Sequence, residues 1–315
     1  MSYLITGATG FIGAHIIREL LHNGEKGVVA YDLNPVGNSL DVILNDEEKS
    51  KIKLMKGDVL DLAQLLRAIK ENNVMHVIHL AALLPPACIA NPKLGVRVNC
   101  EGTANVFEAA RILNLTKVTW ASTGSVFGAE SLYPEGDIPN DAPHTPMMLY
   151  AACKSLNEQL AETYFEHYGV DSSGLRPTVV FGLEKREGLG ARIVHDLMVK
   201  PVLGEPSEIP FGNSNINWLY VDDAAHAFIE ASKVTRAPTR VYTLGGDVYT
   251  VAKAAEYAKE ISPGAKITLL KEGELPIASN FDTSVIEQEV GFKCKWGLKD
   301  AMRDIAEKVR FKYNV

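Results

Sequence analysis

The chain has 315 residues, with 32 basic side chains against 39 acidic ones and a formal net charge of −7. That balance lacks the basic stripe by which nucleic-acid-binding proteins hold phosphates, and no apolar run approaches the ~18 residues of a membrane span. Hydrophobic residues make up 46% and charged residues 23%, an ordinary globular composition that suits one large domain or two closely joined ones. An apolar strand follows Met1-Ser2 at once, so no signal peptide is expected. Cys88, Cys100, Cys153 and Cys294 show no Cys-x-x-Cys spacing, which fits free thiols and a cytoplasmic location.

In chain order, β-branched runs predict strands at Tyr3–Thr6, Gly27–Asp32, Lys51–Gly57, Met75–Leu80, Lys117–Ser122 and Ser172–Pro177. Between them, helical patterns cover Phe11–Asn23, Asp61–Glu71, Leu94–Asn114 and Leu149–Tyr168. Strand alternating with helix predicts a parallel sheet with helices on both faces, and near-continuous apolar strands fit burial on both sides. After Pro177 the rhythm breaks. Residues 183–216 are rich in Gly, Pro and charge around a helix at Ala191–Val199, followed by a helix at Asp222–Lys233 and a strand at Arg240–Leu244. Further on come helix 250–261, a strand at Lys266–Leu270 and helix 298–312. The predicted organisation is a nucleotide-binding part (1–182 plus 216–246) and a small α/β substrate lobe (183–215 plus 247–315) that share a cleft.

The first strand runs into Thr6-Gly7-Ala8-Thr9-Gly10-Phe11-Ile12-Gly13. Glycines here permit a tight turn, a close backbone approach to a pyrophosphate, and close helix–strand packing. The first-turn N–H groups of the following helix, those of Phe11 and Ile12 among them, then face the phosphates with the positive end of the helix dipole. Asp32 ends the second strand, 19 residues after Gly13, where a carboxylate accepts ribose hydroxyls and repels a 2′-phosphate. Leu33, Asn34 and Pro35 bring no cation for that phosphate, so the predicted cofactor is NAD rather than NADP. Asp58 and Val59, after the third strand, are candidate adenine contacts.

Tyr150 and Lys154 lie one turn apart on one face of a predicted helix. An ammonium ~4 Å from a phenol contributes about 4 kcal/mol at an effective dielectric of 20. That equals roughly three pKa units, enough to bring a phenol toward neutrality as a general base. The same spacing recurs at Tyr249 and Lys253, but only Tyr150 follows a strand whose end carries Ser122-Thr123-Gly124-Ser125, and ligands bind at strand C-termini in such sheets. Tyr249 is therefore read as structural.

The chain resembles the extended short-chain dehydrogenase/reductases, the NAD-dependent epimerase/dehydratase group. The resemblance spans nearly its whole length, through TGATGFIG (6–13), GDV (57–59), HLAA (79–82), the N-P…N-x-x-G-T-x-N pattern (91–105), STGSVFG (122–128), YAACK (150–154), LRPTVVFG (175–182) and YVDDAAHA (220–227). It implies a Rossmann-type doubly wound sheet. It also implies that Thr123 hydrogen-bonds the reacting oxygen, that Tyr150 is the general acid or base, and that Lys154 holds the nicotinamide ribose and lowers the tyrosine pKa. Ser122, Ala81 and Pro177 would line the cofactor and Asn99 would brace the sheet beside it. Leu83, Ser125 and Thr178 are the expected substrate contacts, and a homodimer through helices 94–114 and 149–168 is expected.

Departures from the sugar-nucleotide pattern bear on the substrate. Where those enzymes place an Arg before the Y-V-x-D segment this chain has Ile216; where they place Asn it has Val179; and Glu272–Asp282 contains no Arg. A diphosphate needs cationic partners, so a dehydrogenase acting on a secondary hydroxyl of a small polar molecule is favoured over a UDP-sugar 4-epimerase with tightly bound NAD. A non-catalytic sensor has no need of the Thr123/Tyr150/Lys154 set. His76 and His79 are three apart in a strand and point to opposite faces, so no metal is expected. Cys153 and Trp218 are read as packing, and Lys185-Arg186, near the mouth of the cleft, as a solvated loop, with a grip on an acidic substrate as the alternative.

Overall fold

The computed structural model describes residues 1–36, 39–185, 188–270, 273, 275 and 277–315, with backbone alone for 188–190. Seven strands form one wholly parallel sheet: β1 (Ser2–Thr6), β2 (Gly27–Asp32), β3 (Ile52–Lys56), β4 (His76–His79), β5 (Lys117–Ala121), β6 (Ser172–Pro177) and β10 (Val241–Leu244). Their spatial order is β10-β6-β5-β4-β1-β2-β3. The chain therefore winds outward in both directions from the β1–β4 pair, and the crevice beyond the carboxyl ends of those two strands is where such sheets bind ligands.

Side-chain alternation shows why both faces are covered. Tyr3, Ile5, Val28 and Ala30 join one apolar cluster, with helices Phe11–His22 and Val221–Lys233. Leu4, Val29 and Tyr31 join the other, with helices Leu62–Glu71 and Gly102–Leu113. Period-two alternation into two separate cores is the requirement of a doubly wound sheet.

Two expected helices are subdivided. The 94–114 segment begins earlier, at Pro92–Val96 with Asn91 capping it, passes through a π-turn at Arg97–Glu101 and resumes as Gly102–Leu113. Side chains help satisfy the widened turn: the Asn99 carbonyl accepts from Thr103 Oγ1 and from Asn157 Nδ2, both at 2.8 Å. The 191–199 segment likewise divides into helix Gly188–Val194 and a π-turn at His195–Val199.

A second sheet of three strands, β11 (Asp247–Thr250), β9 (Asn215–Tyr220) and β7 (Val179–Phe181), joins segments from both predicted parts. β9 pairs parallel with β7 and antiparallel with β11. A third sheet pairs β8 (Ser207–Ile209) with β12 (Ile267–Leu269). Helices Val251–Ile261 and Leu298–Tyr313 bury Val251, Ala254, Leu298, Met302 and Ile305 in the same core as Ile16 and Phe228, so the smaller part shares a core with the main sheet. Among the described residues no helix is long and apolar enough to cross a membrane.

Candidate active site

The glycine turn lies against the start of the segment after β4. Gly7 has φ +67°, and a Cβ there would sit 2.7 Å from the Ala81 nitrogen; one on Gly13 would sit 2.6 Å from the Gly7 carbonyl oxygen. Any side chain at either position forces backbone apart. Gly10 caps helix Phe11–His22 with no side-chain acceptor, and the N–H groups of Phe11, Ile12 and Gly13 have no acceptor within the helix. The Asp32 carboxylate is held beside the turn by the Thr9 N–H at 3.1 Å and the Asn34 N–H at 3.0 Å, one on each oxygen, with further lone pairs free for hydroxyl donors. Asp58 sits in a strand-end turn, its side chain accepting from the Leu60 N–H at 2.9 Å. Val59 is buried against Gly102, where a Cβ would meet Val59 Cγ2 at 2.8 Å.

At the far side of the crevice, helix Leu149–Tyr168 lays one face along the end of β5. Lys154 is buried and donates from Nζ to the Ala121 carbonyl at 2.6 Å; its Nζ lies 5.8 Å from the centre of the Tyr150 ring. Thr123 is buried beyond the same strand, its Oγ1 accepting the Ser125 N–H at 3.2 Å, which leaves its hydroxyl hydrogen to donate. The expected depression of the Tyr150 pKa is not what this arrangement produces. Burial pushes the phenol up, with the Cys88 thiol a smaller cause, and burial also pulls the Lys154 ammonium down to about 8. The ammonium is directed to the Ala121 carbonyl rather than to the phenol, so desolvation outweighs the attraction.

Residues 3–245 match the NAD dependent epimerase/dehydratase family. The chain belongs to this family. Among curated relatives, UDP-glucose 4-epimerase of Mycolicibacterium smegmatis is 31% identical over 234 residues, 73% of each chain. UDP-glucuronate 4-epimerase 4 of Arabidopsis thaliana is 27% identical over 334 residues, 96% of this chain and 74% of that one. Among solved structures, a partial-consensus L-threonine 3-dehydrogenase superposes with a TM-score of 0.87 at 24% identity, covering 99% of this chain and 100% of its own. UDP-glucose 4-epimerase of Thermus thermophilus, in complex with NAD, gives 0.82 at 25% identity, covering 98% of this chain and 99% of its own.

As a member of the NAD dependent epimerase/dehydratase family the chain is an NAD-dependent enzyme, and the residues of its crevice suit that cofactor. The backbone approach at Gly7 and Gly13 leaves no room for a Cβ, the first-turn donors have no acceptor in their helix, and Asp32 is oriented by its neighbours. Asn99, fully buried, clamps Leu83 by accepting its N–H at 2.8 Å and donating to its carbonyl at 3.0 Å, which fixes the Ala81–Leu83 wall. Ala81 donates its N–H to Thr6 Oγ1 at 3.3 Å. The Ser122 hydroxyl hydrogen goes to Glu158 at 2.5 Å, so any contact of this residue with a cofactor is made by its backbone or by its hydroxyl oxygen as acceptor. Pro177 closes β6 and is buried.

That bond opens onto a network absent from the expectations drawn from sequence. Glu158 follows Lys154 by one turn on the same helix face, and it accepts from Arg176 Nε at 2.9 Å and Nη2 at 2.6 Å. Arg176 also donates to the Asn140 carbonyl at 2.7 Å and stacks 5.0 Å from the centre of Phe127. Lys154 and Glu158 thus hold two successive residues of β5's end, Ala121 and Ser122. The available signal was the four-residue spacing of Tyr150, Lys154 and Glu158.

On the substrate side, Thr178 donates to Asn217 Oδ1 at 2.8 Å, and Ser125 and Leu83 are half-buried. Glu130 accepts from the Ser279 N–H and hydroxyl at 2.8 and 2.9 Å and from Asn280 Nδ2 at 2.6 Å, which binds segment 278–282 to the loop after β5. Phe281, 5.6 Å from Phe127 ring to ring, stands beside Gly124, whose Cβ would lie 3.7 Å from it. Tyr249 lies on β11 paired with Ile216, while Lys253 bonds Glu256 at 2.7 Å, apart from any strand C-terminus of the main sheet. His79 bonds Thr6 and Thr103, whereas His76 packs on Tyr3, as opposite faces require. Among the described residues no three His, Cys, Asp or Glu side chains gather as a metal site would need. Cys153 and Trp218 are buried. Lys185 is not the solvated residue expected: its Nζ turns inward to the Val180 carbonyl at 2.6 Å. Arg186 lies outside the described residues.

Proposed function

We propose that the enzyme is an NAD-dependent dehydrogenase acting on the secondary hydroxyl of a small polar substrate, with Thr123, Tyr150 and Lys154 as its catalytic set. Thr123 donates its free hydroxyl hydrogen to the reacting oxygen. Tyr150 takes the proton of the alcohol as the C–H bond breaks, and returns one to the ketone in reverse. Lys154, through Ala121, keeps the tyrosine's helix in register with the end of β5. When bound, NAD supplies the hydride acceptor; Gly7, Gly10, Phe11, Ile12, Gly13, Asp32, Asp58, Val59, Ala81, Asn99, Ser122 and Pro177 would hold it, together with Tyr150 and Lys154. Leu83, Ser125 and Thr178 would meet the substrate. The protein is proposed to work as a cytoplasmic homodimer, with 183–215 plus 247–315 as its substrate lobe.

One observation carries the choice of substrate class. Ile216, in the place of a diphosphate-binding Arg, is fully buried in the apolar core beside its neighbours on β9, and Val179 is half-buried on the adjacent β7. Neither position can present a cation to a diphosphate, and an unpaired charge in a partly dry site is strongly disfavoured. A second reading, a UDP-sugar 4-epimerase, is favoured by the names of the curated relatives. The two separate in one assay. L-Threonine, other amino alcohols, hydroxy acids, free sugars, UDP-glucose and UDP-glucuronate are each incubated with NAD, and NADH absorbance and product epimers are followed. Net NADH from a small alcohol is expected; an inverted UDP-sugar with no net NADH overturns the proposal in favour of the epimerase.

A further inference from the structure

Burial lowers the pKa of three lysines among the described residues: Lys117, Lys154 and Lys185. Lys117 is compensated in the ordinary way, by Asp171 at 2.9 Å. Lys154 belongs to the catalytic set. Lys185 has no such explanation. Its ammonium donates to the Val180 carbonyl at 2.6 Å, and among the described residues it forms no ion pair.

Its location is specific. Lys185 follows Gly182 after β7, and its Nζ lies 5.9 Å from the centre of the Phe11 ring. That ring fills the space beside Gly182, where a Cβ would meet Phe11 Cζ at 2.8 Å. Phe11 is the first residue of helix Phe11–His22, and its N–H is one of the first-turn donors with no acceptor in the helix. A cation and a helix N-terminus therefore flank one aromatic ring at the mouth of the glycine turn.

The charge balance of the crevice gives the cation a task. The segments around the glycine turn, Thr6–Gly13, Asp32–Asn34 and Leu80–Leu84, contain no Lys or Arg, while Asp32 adds a negative charge; the Lys154 ammonium, at the far side of the crevice, is directed to the Ala121 carbonyl. A dinucleotide pyrophosphate there would meet only neutral backbone donors, although phosphate oxygens in a partly dry site are bound best by charged ones. One bond to Val180 uses one of the three ammonium donors and leaves two.

We infer that Lys185 is a binding residue for the cofactor's pyrophosphate, supplying the positive charge that the glycine turn lacks. This rests on the family's NAD dependence and is independent of the choice between dehydrogenase and epimerase.

The test reads binding and needs no substrate. Lys185→Met, Lys185→Gln and Lys185→Arg are compared with the parent by NADH fluorescence titration, with any NAD retained through purification quantified in each. Calorimetry with ADP-ribose, adenosine and UDP completes the set. Loss of a charge-assisted bond should weaken NADH and ADP-ribose about 10–100-fold in the Met and Gln proteins. Adenosine, which has no phosphate, should bind all four proteins alike, and Arg should retain most of the affinity. A folded Met or Gln protein that binds NADH and ADP-ribose as the parent does overturns the inference. So does a loss confined to UDP, which would assign the charge to a substrate diphosphate.

Discussion

Tyr150 holds its proton more firmly than a phenol in water, and Lys154 holds its proton less firmly than an ammonium in water. Both shifts have one origin, since each charged form is disfavoured in the buried space between helix Leu149–Tyr168 and β5. In the proposed mechanism the demand on Tyr150 is therefore one of position more than of a free phenolate, its proton transfer being coupled to breaking of the C–H bond. General-base loss costs about 10²–10⁴ in rate, so Tyr150→Phe should lower steady-state turnover by that factor while NADH binding stays nearly intact. Tyr249→Phe, on β11 and away from the crevice, should leave both measurements as they are. A Tyr150→Phe enzyme with parental turnover would remove the tyrosine from the mechanism.

At the scale of elements, the junction of β1, β4 and helix Gly102–Leu113 is joined by one imidazole. Thr6 Oγ1 lies 2.6 Å from His79 Nδ1, and His79 Nε2 lies 3.0 Å from Thr103 Oγ1, whose own hydrogen goes to the Asn99 carbonyl. The chain of donors is complete only with a neutral ring, Nδ1 accepting and Nε2 donating. Burial, assisted by the Lys154 charge, lowers the His79 pKa to about 3. The unfolded chain, with an ordinary histidine near ~6.5, binds the proton first, so stability is lost as pH falls from about 6.5 toward 3. Between pH 7 and pH 5 this group should cost about 2 kcal/mol. In urea unfolding at the two values, the stability gap between the parent and His79→Gln should narrow by that amount; a constant gap would show that the fold leaves the imidazole pKa at its ordinary value.

The same junction shows what the sequence could and could not reveal. Strands β2 and β6 and helix Leu149–Tyr168 fall where periodicity and turn residues place them, because each is a local pattern repeated over enough residues to stand out. The glycine turn and Asp32 are legible for the same reason. The π-turn at Arg97–Glu101 is not, since its widened hydrogen bonding depends on Asn157 from a helix more than fifty residues away in sequence. Nor is the inward turn of Lys185, or the commitment of Ser122 to Glu158, because both depend on which partner the fold brings near. Among the described residues short β7 pairs only with β9, so no local signal announces it as a strand.

For the molecule as a whole, the surface of helix Leu149–Tyr168 decides the expected assembly. Ala151, Cys153, Lys154, Asn157, Glu158 and Ala161 face inward, so the Ala151/Ala161 side is taken up by the protein's own core. Leu160 and Tyr164 pack partly against the second core, and Phe165 lies under Arg240, whose guanidinium is 4.1 Å from the ring centre. That leaves Leu149 and Leu156 exposed, with Leu156 at 50%. The neighbouring segments at Pro85–Ala90 and Pro92–Val96 expose Ile89, Leu94 and Val96. Apolar side chains gathered on adjacent helices are the usual mark of an interface, and a twofold pairing buries the same patch on both copies. Sedimentation equilibrium should therefore find a dimer. Leu156→Lys sets two like charges against each other near such an axis and should yield a monomer that still binds NADH, since residue 156 points away from the face carrying Tyr150 and Lys154. A monomeric parent would leave this patch without its partner and end the proposal.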